Sequence, residues 1–296
     1  MKKSFISLVL AGALLLSGCS LITFETNPKP TEAEITEAVE ETTSVKETEA
    51  SVSETTTSET TVQTEPAETK AEQGTDLHAS IMVESPSPDW VTALPQAKDK
   101  NTKQLFIVAA LGMDKTAASI TMHERDANGN WVQILSTPGY VGKNGLCLDA
   151  EHKEGCGQTP IGVYHFNAAF GIAPDPGCAM PYTQVTDDIY WSGDMRDGMR
   201  YNEMVNIKDY PDLDMENSEH IVYYEYQYQY CLNISFNEDG TPGRGSAIFL
   251  HCLGNLKPYT GGCVAVPEYV MVEIMKRVDP DCVVVINTVD NLGTVF

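Results

Sequence analysis

The sequence predicts a mainly β domain with few short helices, carried behind a long polar segment. From Leu105 onward, short apolar runs recur between Gly, Pro, Asn and Asp clusters, which is the pattern of strands and turns. One stretch alone, Glu268–Arg277, repeats its apolar residues at helical spacing. Before about Thr75 the chain is rich in Glu, Thr and Ser and nearly free of aromatic residues, too polar to bury the apolar surface that would offset its ordering entropy.

At the N-terminus, Lys2 and Lys3 precede an apolar core, Ile6–Leu16, which is too short to span a bilayer as a mature helix and suits a secretory signal. The core ends in Leu16-Ser17-Gly18-Cys19, which resembles a bacterial lipobox. Residues 1–18 are therefore expected to be a lipoprotein signal peptide and Cys19 the lipid-anchored first residue of the mature chain. Plain secretion or an uncleaved anchor are the alternatives, and all three place the protein outside the cytoplasm, membrane-attached in the lipidated case.

Residues 19–76 read as a disordered linker, which holds a large share of the net charge of −23. As a self-repelling coil it would reach on the order of 40 Å, enough to act as a tether into the wall layer. So acidic a chain is a poor partner for nucleic acid. Residues 77–103 form a lead-in punctuated by Pro86, Pro88 and Pro95 around Trp90, expected to lie extended along the domain.

The folded domain is expected over residues 104–296. Leu105–Leu111, Ala118–Glu124 and Trp131–Leu135 read as an antiparallel meander, with Asn128-Gly129 as a hairpin turn. Further strands are expected at Ile161–Asn167, Ile221–Tyr230, Leu232–Phe236, Ala247–Leu250 and Cys282–Asn287. Tyr223, Tyr224, Tyr226, Tyr228 and Tyr230 partly alternate, as on a strand with one aromatic face, for core packing or for stacking on sugars. In the helix, Val270, Met271, Ile274 and Met275 share a face, Pro267 suits the first turn and Asp279-Pro280 closes it.

The chemistry concentrates between Gly245 and Pro267. The apolar run Ala247–Leu250 delivers His251 at a strand end, and a loop returns Cys263 on a turn opened by Gly261 and Gly262. A thiol is a weak nucleophile until an imidazole or a positive potential favours its thiolate, so a histidine and a helix N-terminus beside an exposed Cys263 would supply what it needs. Backbone amides of the Gly-Gly-Cys turn could meet a developing oxyanion.

His251 followed by Thr260-Gly261-Gly262-Cys263-Val264 resembles the signature of the YkuD-type L,D-transpeptidase catalytic domain. Thr159-Pro160-Ile161-Gly162-Val163-Tyr164 and the stretch from Phe170-Gly171 through Met180-Pro181-Tyr182 to Tyr201-Asn202 are similar to other segments of that family, so the resemblance runs from about Gln104 to the end. It implies a β-sandwich catalytic domain acting on peptidoglycan stem peptides and building cell-wall cross-links. Cys263 would be nucleophile, His251 general base and acid, Gly262, Gly261 and Thr260 the oxyanion loop, and Tyr201 with Asn202 part of the substrate cleft. The sequence departs from many members by carrying Gly261 where they have a second histidine and Ala265 where they have an arginine.

No cofactor is expected. Besides Cys19 and Cys263 there are Cys147, Cys156, Cys178, Cys231, Cys252 and Cys282, whose pairing or reduction the sequence leaves open. Cys147, His152 and Cys156 could be imagined on zinc, but no paired Cys-x-x-Cys or His-x-x-x-His spacing supports it, and no metal is expected. The expected function is L,D-transpeptidation through a cysteine thioester. L,D-carboxypeptidase or hydrolase action at the same site, a non-catalytic wall-binding lipoprotein and a cysteine protease are the rivals.

Overall fold

A long β-rich ring is assembled around the meander that the sequence announces. The computed structural model describes residue 82, residues 84–254 and residues 257–294. The signal segment, Cys19 and the linker lie outside the described residues. The chain runs β1 (Ser85–Pro86), α1 (Asp89–Ala93), α2 (Pro95–Lys98), β2 (Gln104–Ala110), β3 (Ala117–Arg125), β4 (Trp131–Tyr140), β5 (Leu146–Leu148) and β6 (Thr159–Gly171). It continues through β7 (Tyr182–Gln184), β8 (Ile189–Trp191), β9 (Met204–Asn206), β10 (Glu219–His220), β11 (Cys231–Ile234), β12 (Phe249–Cys252), β13 (Val264–Val266), α3 (Glu268–Met275), β14 (Val283–Thr288) and α4 (Val289–Leu292).

In the main sheet the order is β1-β4-β13-β12-β11-β6-β14-β2-β3, and β3 also pairs with β4. The hydrogen-bonded path therefore closes on itself. β4 makes the closure because it is long enough to pair with β3 throughout and still meet β13 at Tyr140. The resemblance implied a sandwich; here the packed layers belong to one continuous ring with no free edge on the path. A small second sheet, β10-β8-β9, is not hydrogen-bonded to it but packs on it through Trp191 of β8.

Alternation along the strands sorts the side chains into an inner and two outer groups. Phe106, Val108, Ile120, Met122, Leu250, Cys252, Val264, Val266, Val284 and Ile286 build the main core, into which α3 inserts Val270, Met271, Ile274 and Met275. On one outer face Leu105, Ile107, Ala109 and Val285 are covered by Val91 and Ala97 of α1 and α2 and by Leu292 of α4. The lead-in is thus helical rather than extended: Pro88 and Pro95 stand at helix starts, where a fixed φ and a missing N–H cost nothing. The other outer face holds Phe249, Cys231 and Cys263 beneath Phe170, Trp191, Ile221 and Tyr228.

The expected strand Ile221–Tyr230 does not form. Only Glu219 and His220 pair, with Trp191 and Tyr190 of β8, after which the chain turns through a 3-10 segment, Ile221–Tyr223, and successive tight turns. Tyr223, Tyr224 and Tyr226 are exposed and Tyr228 is buried, so the series shares no single face.

Candidate active site

β12 and β13 run parallel with Leu250 opposite Val264 and His251 opposite Ala265. In that register His251 and Cys263 fall on the same, outer face of neighbouring strands, as diagonal neighbours. The inner face takes Leu250, Cys252, Val264 and Val266 instead. A one-residue slip would send the histidine into the core, so the apolar pattern of these strands is what fixes the pair.

Both side chains are enclosed, each in a residue only 6% exposed. His251 Nδ1 lies 2.8 Å from the carbonyl oxygen of Cys252, so that nitrogen carries the proton and Nε2 is left with its lone pair. This carbonyl is the orienting partner that the sequence did not reveal. Burial pulls the imidazole down to about 4. Cys263 Sγ donates to the Ala247 carbonyl at 3.1 Å and accepts from the Phe249 amide at 3.3 Å. Burial, and next the charge of Glu219, push its thiol well above the ordinary value, against smaller opposing pulls from the Phe249 amide and the Tyr228 hydroxyl.

The expected exposed, thiolate-bearing turn is therefore corrected to a neutral thiol beside a neutral imidazole, because desolvation outweighs every group that favours the ions. The helix dipole is not in place to reverse this. Val264–Val266 intervene as β13 between Cys263 and α3, about 10 Å of extended chain, and the dipole's influence is confined to the first turn.

The glycine and threonine residues divide their roles. Gly262 has φ +151°, and a Cβ there would stand 3.0 Å from the Gln158 carbonyl oxygen, so only glycine lets the loop pass. A Cβ on Gly261 would meet nothing within 4 Å, which leaves no steric need for glycine at that position. Thr260 Oγ1 accepts from the Gly262 amide at 3.1 Å and donates to the Cys263 carbonyl at 2.7 Å. It pins the turn rather than touching the sulfur, and it uses the Gly262 N–H that had been expected to face an oxyanion. Thr159 Oγ1 donates to the Gly262 carbonyl at 2.7 Å from the neighbouring β6.

Tyr201 and Asn202 do not line a cleft. Tyr201 is 2% exposed, donates to Glu154 and accepts from the Gly245 amide at 3.2 Å. Asn202 Oδ1 accepts from Trp191 Nε1 at 2.9 Å and the Ala247 amide at 3.0 Å, while Nδ2 donates to the carbonyls of Phe236 and Asn237 at 3.0 and 2.9 Å. With four bonds made, its amide has no capacity left for a substrate. Instead it holds Ala247, whose φ of +56° is strained for a residue with a Cβ, and whose carbonyl receives the Cys263 thiol.

Sequence reasoning missed the acid behind this site. Glu219 accepts from the Tyr228 hydroxyl at 2.7 Å, and Tyr228 in turn lies against both Cys263 and the His251 ring, with centroids 5.4 Å apart for the latter pair. Burial raises the Glu219 carboxyl to about 7. Nothing in the local sequence marks Glu219, since β10 that positions it is only two residues long. The turns after it form a roof: the Gln227 carbonyl accepts from the Cys252 amide at 3.0 Å, and Tyr224, 39% exposed, lies tilted against Tyr228 with ring centroids 4.6 Å apart.

A family model described as the L,D-transpeptidase catalytic domain, YkuD, matches residues 127–286, more than half of the 296-residue chain. The chain belongs to the L,D-transpeptidase family. Comparisons with curated proteins and with solved structures find no match. For this L,D-transpeptidase domain, catalysis of that general type on peptidoglycan is what membership supports, and the matched span holds His251 and Cys263. Where the resemblance led one to look for an arginine, Ala265 is 1% exposed and faces His251 across the strand pair, so this position offers no charge to a substrate carboxylate.

All seven described cysteines, Cys263 included, are free thiols. Cys147, His152 and Cys156, whose spacing alone argued against a metal, nevertheless come together in space.

Proposed function

We propose that this protein is a peptidoglycan L,D-transpeptidase that works through a thioester on Cys263. The observation that carries the reading is the parallel register of β12 and β13, which sets His251 and Cys263 side by side on one face, with His251 Nδ1 bonded to the Cys252 carbonyl. His251 Nε2 takes the thiol proton as Sγ attacks the carbonyl of the stem residue linked to the terminal D-amino acid. The Cys263 amide is the remaining donor for the oxyanion, since the Gly262 amide serves Thr260. Collapse of the tetrahedral intermediate breaks the C–N bond, His251 returns the proton to the leaving amine, and a thioester remains. An amine from a neighbouring stem then attacks the thioester and loses a proton to His251, the C–S bond breaks, and His251 returns the proton to Cys263 Sγ as the cross-link leaves; water in its place would yield a trimmed stem.

Because the resting pair is neutral, proton transfer accompanies attack instead of preceding it. A low-basicity imidazole is then a strong acid once protonated, which favours expulsion of the amine. Incubating the full chain with tetrapeptide-containing muropeptides should give 3-3 dimers. Cys263→Ala should abolish them, and His251→Ala should slow them by roughly 10²- to 10⁴-fold. Trimmed stems without dimers would assign hydrolysis instead, and unchanged muropeptides from folded protein would remove the catalytic reading.

The same reading extends to location. Lipidation at Cys19, with residues 19–76 as tether, would hold the domain outside the cell membrane within reach of the wall; the charge pattern and the Leu-Ser-Gly-Cys sequence support it. In cells, Cys19→Ala should shift the protein from the membrane fraction to the medium, and an unchanged membrane fraction would count against the anchor.

A further inference from the structure

We propose that Cys147, His152 and Cys156 form a zinc site that braces the loop carrying Cys263. Cys147 comes from β5, His152 caps the 3-10 turn Asp149–Glu151 that follows, and Cys156 sits on the next turn before β6. Their ligand atoms all lie within 4.8 Å of one another. A tetrahedral zinc with bonds of about 2.0 Å to nitrogen and 2.3 Å to sulfur needs its donors roughly 3.3–3.8 Å apart, so small side-chain rotations close the set. Cys147 and His152 are buried and Cys156 is partly exposed, which gives an ion a path from solvent.

The histidine adds a second argument. His152 Nδ1 lies 2.8 Å from the Arg244 carbonyl oxygen and Nε2 lies 3.0 Å from that of Gln158. The Arg244 carbonyl at Nδ1 is the partner usual for the second nitrogen of a ligating histidine, and Nε2 would reach the metal once the ring turns away from the Gln158 carbonyl.

Two sulfurs and an imidazole are a donor set suited to zinc, with a water or a nearby carboxylate in the fourth position. The absence of a Cys-x-x-Cys pair in the sequence is no obstacle, since the turns between β5 and β6 replace the usual knuckle.

The site would matter to the catalytic loop by direct connection. Three residues after Cys156, Thr159 Oγ1 holds the Gly262 carbonyl, and the Gln158 carbonyl marks the closest approach of that loop at Gly262. Fixing Cys156 therefore limits the freedom of the strand start against which Cys263 is positioned.

The test is the metal content of the full chain purified under reducing conditions without chelator. Stoichiometric zinc is expected, retained in Cys263→Ala and reduced at least about tenfold in Cys156→Ser and His152→Ala. Replacing zinc with cobalt should give thiolate-to-metal charge-transfer absorption in wild type and in Cys263→Ala. Chelator should lower the Tm of wild type and leave that of Cys156→Ser unchanged, which separates a lost site from a misfolded variant. Folded, fully reduced protein that retains no zinc and gives no cobalt spectrum would overturn the proposal. So would a Cys147–Cys156 disulfide in protein isolated without reductant.

Discussion

Asn202 and Glu219 show how single polar side chains shape the surroundings of Cys263. Removing the Asn202 amide strands the Trp191 indole N–H, the Ala247 amide and two carbonyls in a buried setting. Asn202→Ala should therefore cost about 3 kcal/mol or more, read as a Tm lower by roughly 6–12 °C. Glu219 makes the opposite kind of contribution. Its folded value of about 7 lies above its ordinary 4.5, so the folded protein holds a proton that the unfolded chain has released between those values. Stability from this group therefore falls as pH rises from 4.5 to 7, by up to about 3 kcal/mol. Glu219→Gln should gain stability relative to wild type between pH 5 and pH 8 in paired urea titrations, and an unchanged difference would show that the carboxyl is already ionised at pH 5.

At the scale of elements, the roof from Ile221 to Tyr230 lies on the outer face that holds Cys263. Tyr224 packs tilted against Tyr228 and is partly exposed, whereas Cys263 is not. An aromatic contact of this kind contributes about 0.5–1.5 kcal/mol, so Tyr224→Ala should speed alkylation of Cys263 about 2- to 10-fold, followed on its own peptide by mass spectrometry. An unchanged rate would place the entry elsewhere. This roof was the segment least legible in the sequence. Tyr224, Tyr226, Tyr228 and Tyr230 alternate with Glu225, Gln227 and Gln229 as a strand would, but among the described residues no strand pairs with them, and local turns bond the backbone instead. By contrast β2, β3 and β4 were legible because Asn128-Gly129 fixes the hairpin and apolar residues mark the core face. α3 was legible from its spacing and from Pro267, while the three residues of β13 before it were too few to announce a strand.

For the whole molecule, closure of the ring places His251 of β12 beside Cys263 at the start of β13, and no local pattern could show that their surroundings would be dry. The proposed nucleophile and its histidine stand in a motif that the sequence displays; the neutral state of both and the part of Glu219 depend on contacts distant in sequence, whereas the carbonyl that orients His251 belongs to its next residue, Cys252. The same burial makes the fold sensitive to acid. His123, bonded to Ser87 and Thr121, and His251 both have folded values of about 4, below the ordinary 6.5. The unfolded chain gains these protons first, so their stabilising effect is present above pH 6.5 and is lost as pH falls toward 4, by on the order of 3 kcal/mol each. Glu219 offsets part of this loss. Urea titrations should show lower stability at pH 5 than at pH 7, and His123→Gln should flatten the dependence.

The central claim, that Cys263 becomes acylated by a stem peptide, is tested most directly by the intact mass of the full chain after brief exposure to a tetrapeptide stem without acceptor. The account predicts an adduct of the stem less its terminal D-amino acid, located on the peptide that carries Cys263, cleaved by hydroxylamine and missing from Cys263→Ala. A folded protein with a free Cys263 thiol that forms no adduct, or an adduct that persists in Cys263→Ala, would contradict it.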